Sequence, residues 1–181
     1  MKKNTIVSLL TIGVLLAASS TLAGAGKISN GIVQAAKDQI RKGDSSTSCS
    51  LYLRRVLNRA GYPFRDFMAN DFNSAMQKNL PNWSQQAFSV AKNGRTSLRR
   101  FLNSAPDQAA FLAQWPRKGR SGHVAIIVKE SSDRYRIYQA QLGLAKAHSK
   151  RATIENLLYA PNSYGNRSNL RLFFPADLFV N

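Results

Sequence analysis

Leu51, Leu53, Val56, Leu57 and Ala60 recur at the three- and four-residue spacing of a helical stripe. Before them stands a polar run, Gly43-Asp44-Ser45-Ser46-Thr47-Ser48, rich in residues that cap free backbone amides, and after them Gly61-Tyr62-Pro63 stops the pattern. A helix with Cys49 in its first turn is therefore expected. Gly122-His123-Val124-Ala125-Ile126-Ile127-Val128 follows a different rule: it is short, apolar without alternation and β-branched, as in a strand buried on both faces. Gly122 would allow close backbone approach. Ser131-Ser132-Asp133 then reads as a turn, and Arg134–Gln141 as the next antiparallel strand, with Tyr135, Ile137, Gln139 and Gln141 on one face.

Residues 64–116 read as helical. Phe67, Met68, Phe72 and Met76 have core spacing, Thr96–Ser104 carries Leu98, Phe101 and Leu102, and Pro106 suits the first turn of a helix running through Ala110, Phe111 and Leu112 to Trp115. Trp83 and Trp115, near Pro81 and Pro116, belong either to the core or to a glycan or peptide groove. A short helix at Thr153–Tyr159, a loop at 161–166 and a closing strand at Leu170–Phe174 complete the pattern. No repeat or linker interrupts it, so the expectation is one α+β domain with helices packed on a central antiparallel sheet.

The amino terminus alters this picture. Lys2 and Lys3 precede an apolar run from Ile6 to Ala18 and then small residues including Ala23-Gly24-Ala25, the pattern of a secretory signal peptide over residues 1–25. The run is short for a membrane span, which needs about 20 apolar residues. An uncleaved anchor or a buried helix is the alternative. On the leader reading, residues 26–181 form the mature domain, periplasmic or secreted, with no stable membrane insertion after cleavage.

The full chain of 181 residues carries 26 Lys and Arg against 9 Asp and Glu, a net +17. Loss of 25 residues and two lysines leaves 156 residues at +15. A charge of that size suits an anionic partner. Its clusters fall at Arg95–Arg100, Arg117–Arg120 and Lys146–Arg151, and a solvated cationic face accounts for many of them. Arg117 directly precedes the His123 strand and is an expected substrate contact. No nucleic-acid motif accompanies the charge, so no nucleic-acid partner is expected. One cysteine and two histidines in unrelated contexts support no metal site, and no cofactor is expected.

Export makes the lone Cys49 informative, because a single cysteine in a secreted chain points to intermolecular pairing or a reactive thiol. A buried structural cysteine is the alternative. At a helix N-terminus the thiolate is favoured, and nearby amides can hold an oxyanion. His123 is the better candidate base, since His148 lies in the basic polar stretch Lys146-Ala147-His148-Ser149-Lys150 and reads as a surface or ligand-contacting residue. Gln139 would accept the second ring proton of His123 and fix its tautomer, or it is a solvated glutamine; for Gln141 the solvated reading is preferred.

The segment Cys49-Ser50-Leu51-Tyr52-Leu53-Arg54-Arg55-Val56-Leu57-Asn58-Arg59-Ala60-Gly61 resembles the nucleophile helix of the NlpC/P60 cysteine peptidases and the related CHAP amidases. Gly122-His123-Val124-Ala125-Ile126 resembles their histidine strand. The chain differs from the usual pattern at Ser48, where Asp is common, at Leu51, where Gly is common, and in having Gln at the third polar position. The resemblance implies a papain-like fold, cleavage of amide bonds in peptidoglycan, Cys49 as nucleophile, His123 as base and Gln139 as orienting residue. Gln141 matches a later polar position of the CHAP pattern, and with Trp115 and Arg117 completes the expected substrate contacts. The implied partner is peptidoglycan or another anionic cell-wall polymer. A non-catalytic cationic wall-binding module and an antibacterial toxin of the same fold, with an inhibitor or immunity protein, are the alternatives.

Overall fold

The computed structural model describes residues 26–46, 48–89, 93–118, 121–141, 146–158 and 169–179. The expected leader, Thr47, Gly119-Arg120 of the basic run, Tyr159 and the 161–166 loop lie outside these residues. The architecture is mixed helix and antiparallel sheet, as the pattern implies. A first helix, α1, covers residues 26–41, followed by α2 (Cys49–Arg59), a 3-10 turn (Ala69–Asp71), α3 (Phe72–Asn79), α4 (Gly94–Ser104) and α5 (Ile154–Leu158). The strands are β1 (Trp83–Phe88), β2 (Ala110–Trp115), β3 (His123–Ser131), β4 (Arg134–Gln139), β5 (His148–Ala152) and β6 (Leu170–Pro175). They form one six-stranded sheet in the order β1-β6-β2-β3-β4-β5, every neighbouring pair antiparallel.

Alternation along β3 explains why its residues are apolar at consecutive positions. Val124, Ile126 and Val128 pack with Ile32, Ala36, Tyr52, Leu53, Val56, Phe72 and Met76, so α1, α2 and α3 cover one face. Ala125 and Ile127 pack with Leu98, Leu102, Ile154 and Leu157, so α4 and α5 cover the other. Burial on both sides removes the polar half of a strand pattern. The buried Lys129 is the exception, and its Nζ donates to the carbonyls of Asn103 (3.2 Å) and Ala105 at the end of α4. A cation there opposes the negative end of the helix dipole.

The predicted helix around Cys49 is α2. Ser48 is extended (φ −105°, ψ 127°) and its side chain accepts from the Leu51 N–H, capping the helix. At the other end Gly61 (φ 89°) donates to Asn58 O and Tyr62 donates to Leu57 O, the paired bonds of a Schellman stop.

Two expectations are corrected. Ala110–Trp115 is the strand β2, not a helix beginning near Pro106. All six residues are buried between β6 and β3, and an apolar run without alternation has the same signature as a buried helix. Trp83, within the stretch read as helical, opens the edge strand β1. The closing strand expected at Leu170–Phe174 is present as β6, which inserts between β1 and β2.

Two glycines give opposite expectations. Gly31 lies exposed within α1, and an added Cβ there meets nothing within 4 Å. Gly31→Ala should raise the unfolding free energy by about 0.5–1 kcal/mol, whereas Gly61→Ala, at positive φ, should lower it by about 1 kcal/mol. Urea unfolding of both variants checks the pair; changes of the same sign would contradict these backbone assignments.

Candidate active site

The end of the sheet where β3 begins is built by a backbone clamp. Asn70 accepts from the Arg117 N–H (3.0 Å) and donates to the Arg117 carbonyl (3.1 Å), while Gln114 Nε2 donates to the carbonyls of Ala69 (2.8 Å) and Asn70 (3.0 Å). This fastens the 3-10 turn to the end of β2 and to the start of the connection into β3. Gly122 sits inside the clamp: a Cβ there would lie 2.4 Å from Asn70 Oδ1 and 2.8 Å from the Trp115 carbonyl. Close approach is thus a steric requirement at Gly122. Asn70 gave no signal in the sequence, because its partners are about 45 residues away.

Past the clamp, His123 pairs across the sheet with Trp115, their ring centroids 5.6 Å apart at 36°. The Trp115 indole N–H donates to Leu157 O at 2.9 Å, and the side chain is fully buried. Trp115 is therefore a core residue that supports the imidazole from below. The expectation that it lines a substrate groove is corrected.

His123 is also buried, and its Nε2 lies 2.9 Å from Gln139 Oε1. Gln139 ends β4 with no exposed surface, and its Nε2 lies 3.1 Å from Nε2 of His148, its register partner on β5. Proton accounting follows from the chemistry of the groups. An amide oxygen only accepts, so His123 carries its proton on Nε2; an amide nitrogen only donates, so His148 Nε2 is unprotonated. Both rings are neutral, and the His123 lone pair is on Nδ1. Burial pushes the His123 pKa from 6.5 down to about 4, opposed by the Gln139 bond and assisted by the charges of Arg117 and Lys150 and by His148. Burial lowers His148 as well, the Lys146 backbone opposing and Lys150 assisting. His148, expected in a surface stretch, is instead a half-buried member of β5 joined to the His123–Gln139 pair.

Cys49 is half-buried in the first turn of α2 and packs beside the cluster containing Val124, Tyr138 and Ala140. The pleat sends His123 toward Trp115, on the opposite face. Ala147, next to His148, donates to Asp44 O at 2.9 Å, which brings the segment leading into α2 to the end of the sheet where Gln139 pairs with His148. The structure joins His123 to Gln139 directly. Ser48, Ser50, Leu51 and Arg54 line a groove of about 880 Å³ that continues along Met68 and Asp71 toward α3. Met68 is 65% exposed, an unusual position for so apolar a side chain, on the wall of this groove.

Of the other expected contacts, Arg117 is half-buried, with Nε and Nη2 inaccessible to solvent and without hydrogen-bond partners. Gln141 lies just beyond β4 and is half-buried. Among the described residues no cluster of His, Cys, Asp and Glu could hold a metal ion, and no helix is long and apolar enough to cross a membrane.

No protein-family model matches the chain, and no curated protein matches it.

The depressed His123 pKa has a defined consequence for stability. Between pH 4 and 6.5 the unfolded chain binds a proton at this residue that the folded chain refuses, so stability present above pH 6.5 is lost as pH falls toward 4. The loss amounts to ~3 kcal/mol. Chemical denaturation from neutral pH down to the folded-state pKa should show that additional loss in the wild type relative to His123→Gln; equal losses would contradict a buried neutral imidazole.

Proposed function

We propose that the chain is an exported thiol hydrolase that cleaves amide bonds in peptidoglycan, with a papain-like fold of the NlpC/P60 and CHAP kind. The observation that carries the reading is the His123–Gln139 hydrogen bond, because it leaves the lone pair on Nδ1 of a buried, neutral imidazole. The start of α2, with Cys49, lies at the same end of the sheet. In the reaction, Cys49 Sγ comes within hydrogen-bond reach of that nitrogen when substrate is bound, as catalytic contacts that are long in a free enzyme do.

Substrate enters along the groove beside Ser48 and Ser50. His123 Nδ1 takes the Cys49 proton, and the thiolate attacks the amide carbon to form a tetrahedral intermediate. The N–H groups of Cys49 and Ser50 suit the oxyanion: both lie in the first turn, where no intrahelical carbonyl reaches them, and the Ser48 side chain is engaged at Leu51. The imidazolium then protonates the leaving amine, which departs and leaves a thioester. Water, deprotonated by His123, releases the acid and restores the thiol. The positive charge of the whole chain favours association with the same polyanionic polymer.

Purified sacculi incubated with the wild type should release soluble peptide-bearing fragments, identified by mass spectrometry, and Cys49→Ala should slow that release by about a thousandfold or more. Fragment release by Cys49→Ala at the wild-type rate, or binding of sacculi by both proteins without release, would overturn the proposal.

A further inference from the structure

We propose that the groove beside α2 binds an acidic peptide: Arg65 and Lys78 take a carboxylate at its far end and Met68 takes an apolar side chain. A wall peptide with free carboxylates is then preferred to one whose carboxylates are amidated. That the bound peptide is a substrate rests on the function proposed above; the binding itself does not.

Two helices build the groove. Asp71, Ser74, Ala75, Lys78 and Asn79 all line it, and their spacing of three and four residues marks one continuous face of α3 and its cap. The start of α2 supplies Ser48, Ser50, Leu51 and Arg54, and the connecting stretch 65–68 completes the lining. Part of that lining is apolar, from Leu51, Phe67, Met68 and Ala75. Met68 is the one large apolar side chain that is exposed among the described residues, and neither hydrophobic cluster includes it. A ligand side chain laid on Met68 takes apolar surface of both out of water, a gain that the free protein leaves unrealised. The size of the groove suits a few residues of extended peptide.

Charge selects the kind of peptide. Five charged side chains line the groove: Arg54, Arg65, Asp66, Asp71 and Lys78. Arg54 and Asp66 form an ion pair with each other. Asp71 caps the N-terminal end of α3, seven residues and so about 10 Å along the axis from Lys78. Arg65 and Lys78 are exposed and have no counter-ion among the described residues. Arg65 and Asn79 also border a second hollow of about 530 Å³, which places Arg65 beside the C-terminal end of α3, where Lys78 lies. The far end of the groove thus carries two uncompensated positive charges. A carboxylate there meets a guanidinium fork and an ammonium; a carboxamide can accept from both but brings no charge. An inorganic anion would leave Met68 uncovered, and a purely apolar ligand would leave the cations unpaired. An acidic peptide serves both.

The test uses the full chain carrying Cys49→Ala, in which turnover is blocked on the reading above, labelled with 13C at the methionine methyl groups. Met68 lies on the groove wall and Met76 is buried in the core, so one methyl reports binding and the other serves as the control; Met68→Leu assigns the signals. Titration at low salt with the end-capped peptide Ala-Glu-Leu-Glu-Ala should shift the Met68 methyl and leave that of Met76 in place. Exchanging both glutamates of the peptide for glutamine should weaken binding about tenfold, and so should Arg65→Gln combined with Lys78→Gln in the protein. Both side chains are exposed, and an unmoved Met76 signal shows that the double variant is folded. A Met68 signal that ignores the peptide, or equal affinity for the acidic and amidated peptides, would overturn the proposal. So would a Met68 signal that moves on dilution of the protein alone, because a second copy would then cover the groove. Sacculus digestion by the wild type separates this claim from the one beneath it. Digestion with an unmoved Met68 removes the groove assignment and keeps the hydrolase, whereas a shifted Met68 with intact sacculi removes the hydrolase and keeps the groove.

Discussion

Burial of β3 on both faces is the constraint on which the rest of the molecule depends. Its apolar run from Val124 to Val128 needs a helical layer on each side, and α1–α3 and α4–α5 provide them. A strand apolar on both faces has little in its hydrophobic pattern to specify register, because a one-residue slip exchanges one apolar face for another. The polar residues at its two ends supply what is missing. His123 and Lys129 lie on the same face, one bonded to Gln139 and the other to the carbonyls that end α4. A slipped register would bury both without partners, which costs several kcal/mol. The residue proposed as the base therefore also helps to define the fold.

The same constraint shapes the electrostatics. A histidine at the start of a doubly covered strand is removed from water, and the neighbouring cations add to the cost of protonating it. The result is a neutral imidazole rather than one half of a resting ion pair. Gln139 is neutral too, so the pair can be buried without unpaired charge. The thiol is handled by a different layer. Cys49 sits on the helix that covers the opposite face, while the Asn70 clamp and Gly122 hold the β2–β3 connection close before His123.

The parts of this arrangement that were legible in the sequence are those with local signatures. The cap, stripe and stop around α2 and the apolar run of β3 identify their elements because each is set by residues near one another. The helical reading of Ala110–Trp115 failed because an interior strand and a buried helix segment share one apolar signature. Trp115 consequently moved from a possible groove to the core. The edge strands β1 and β5, rich in Ser, Gln, Lys and Arg, carry no strand pattern of their own, since only their pairing to β6 and β4 makes them strands. His148 belongs to this group: its bond to Gln139, a register partner nine residues away, is announced by no local pattern. Asn70, bonded to Arg117, is hidden for the same reason.

The claim at the centre of this account is that His123 acts on Cys49. The most direct measurement is the rate at which iodoacetamide alkylates Cys49 near neutral pH in the wild type and in His123→Ala, with folding of the variant verified by circular dichroism. The account predicts that alkylation slows by about tenfold or more when the imidazole is removed. Equal rates in two folded proteins would contradict it and leave Cys49 a packed thiol at the start of a helix.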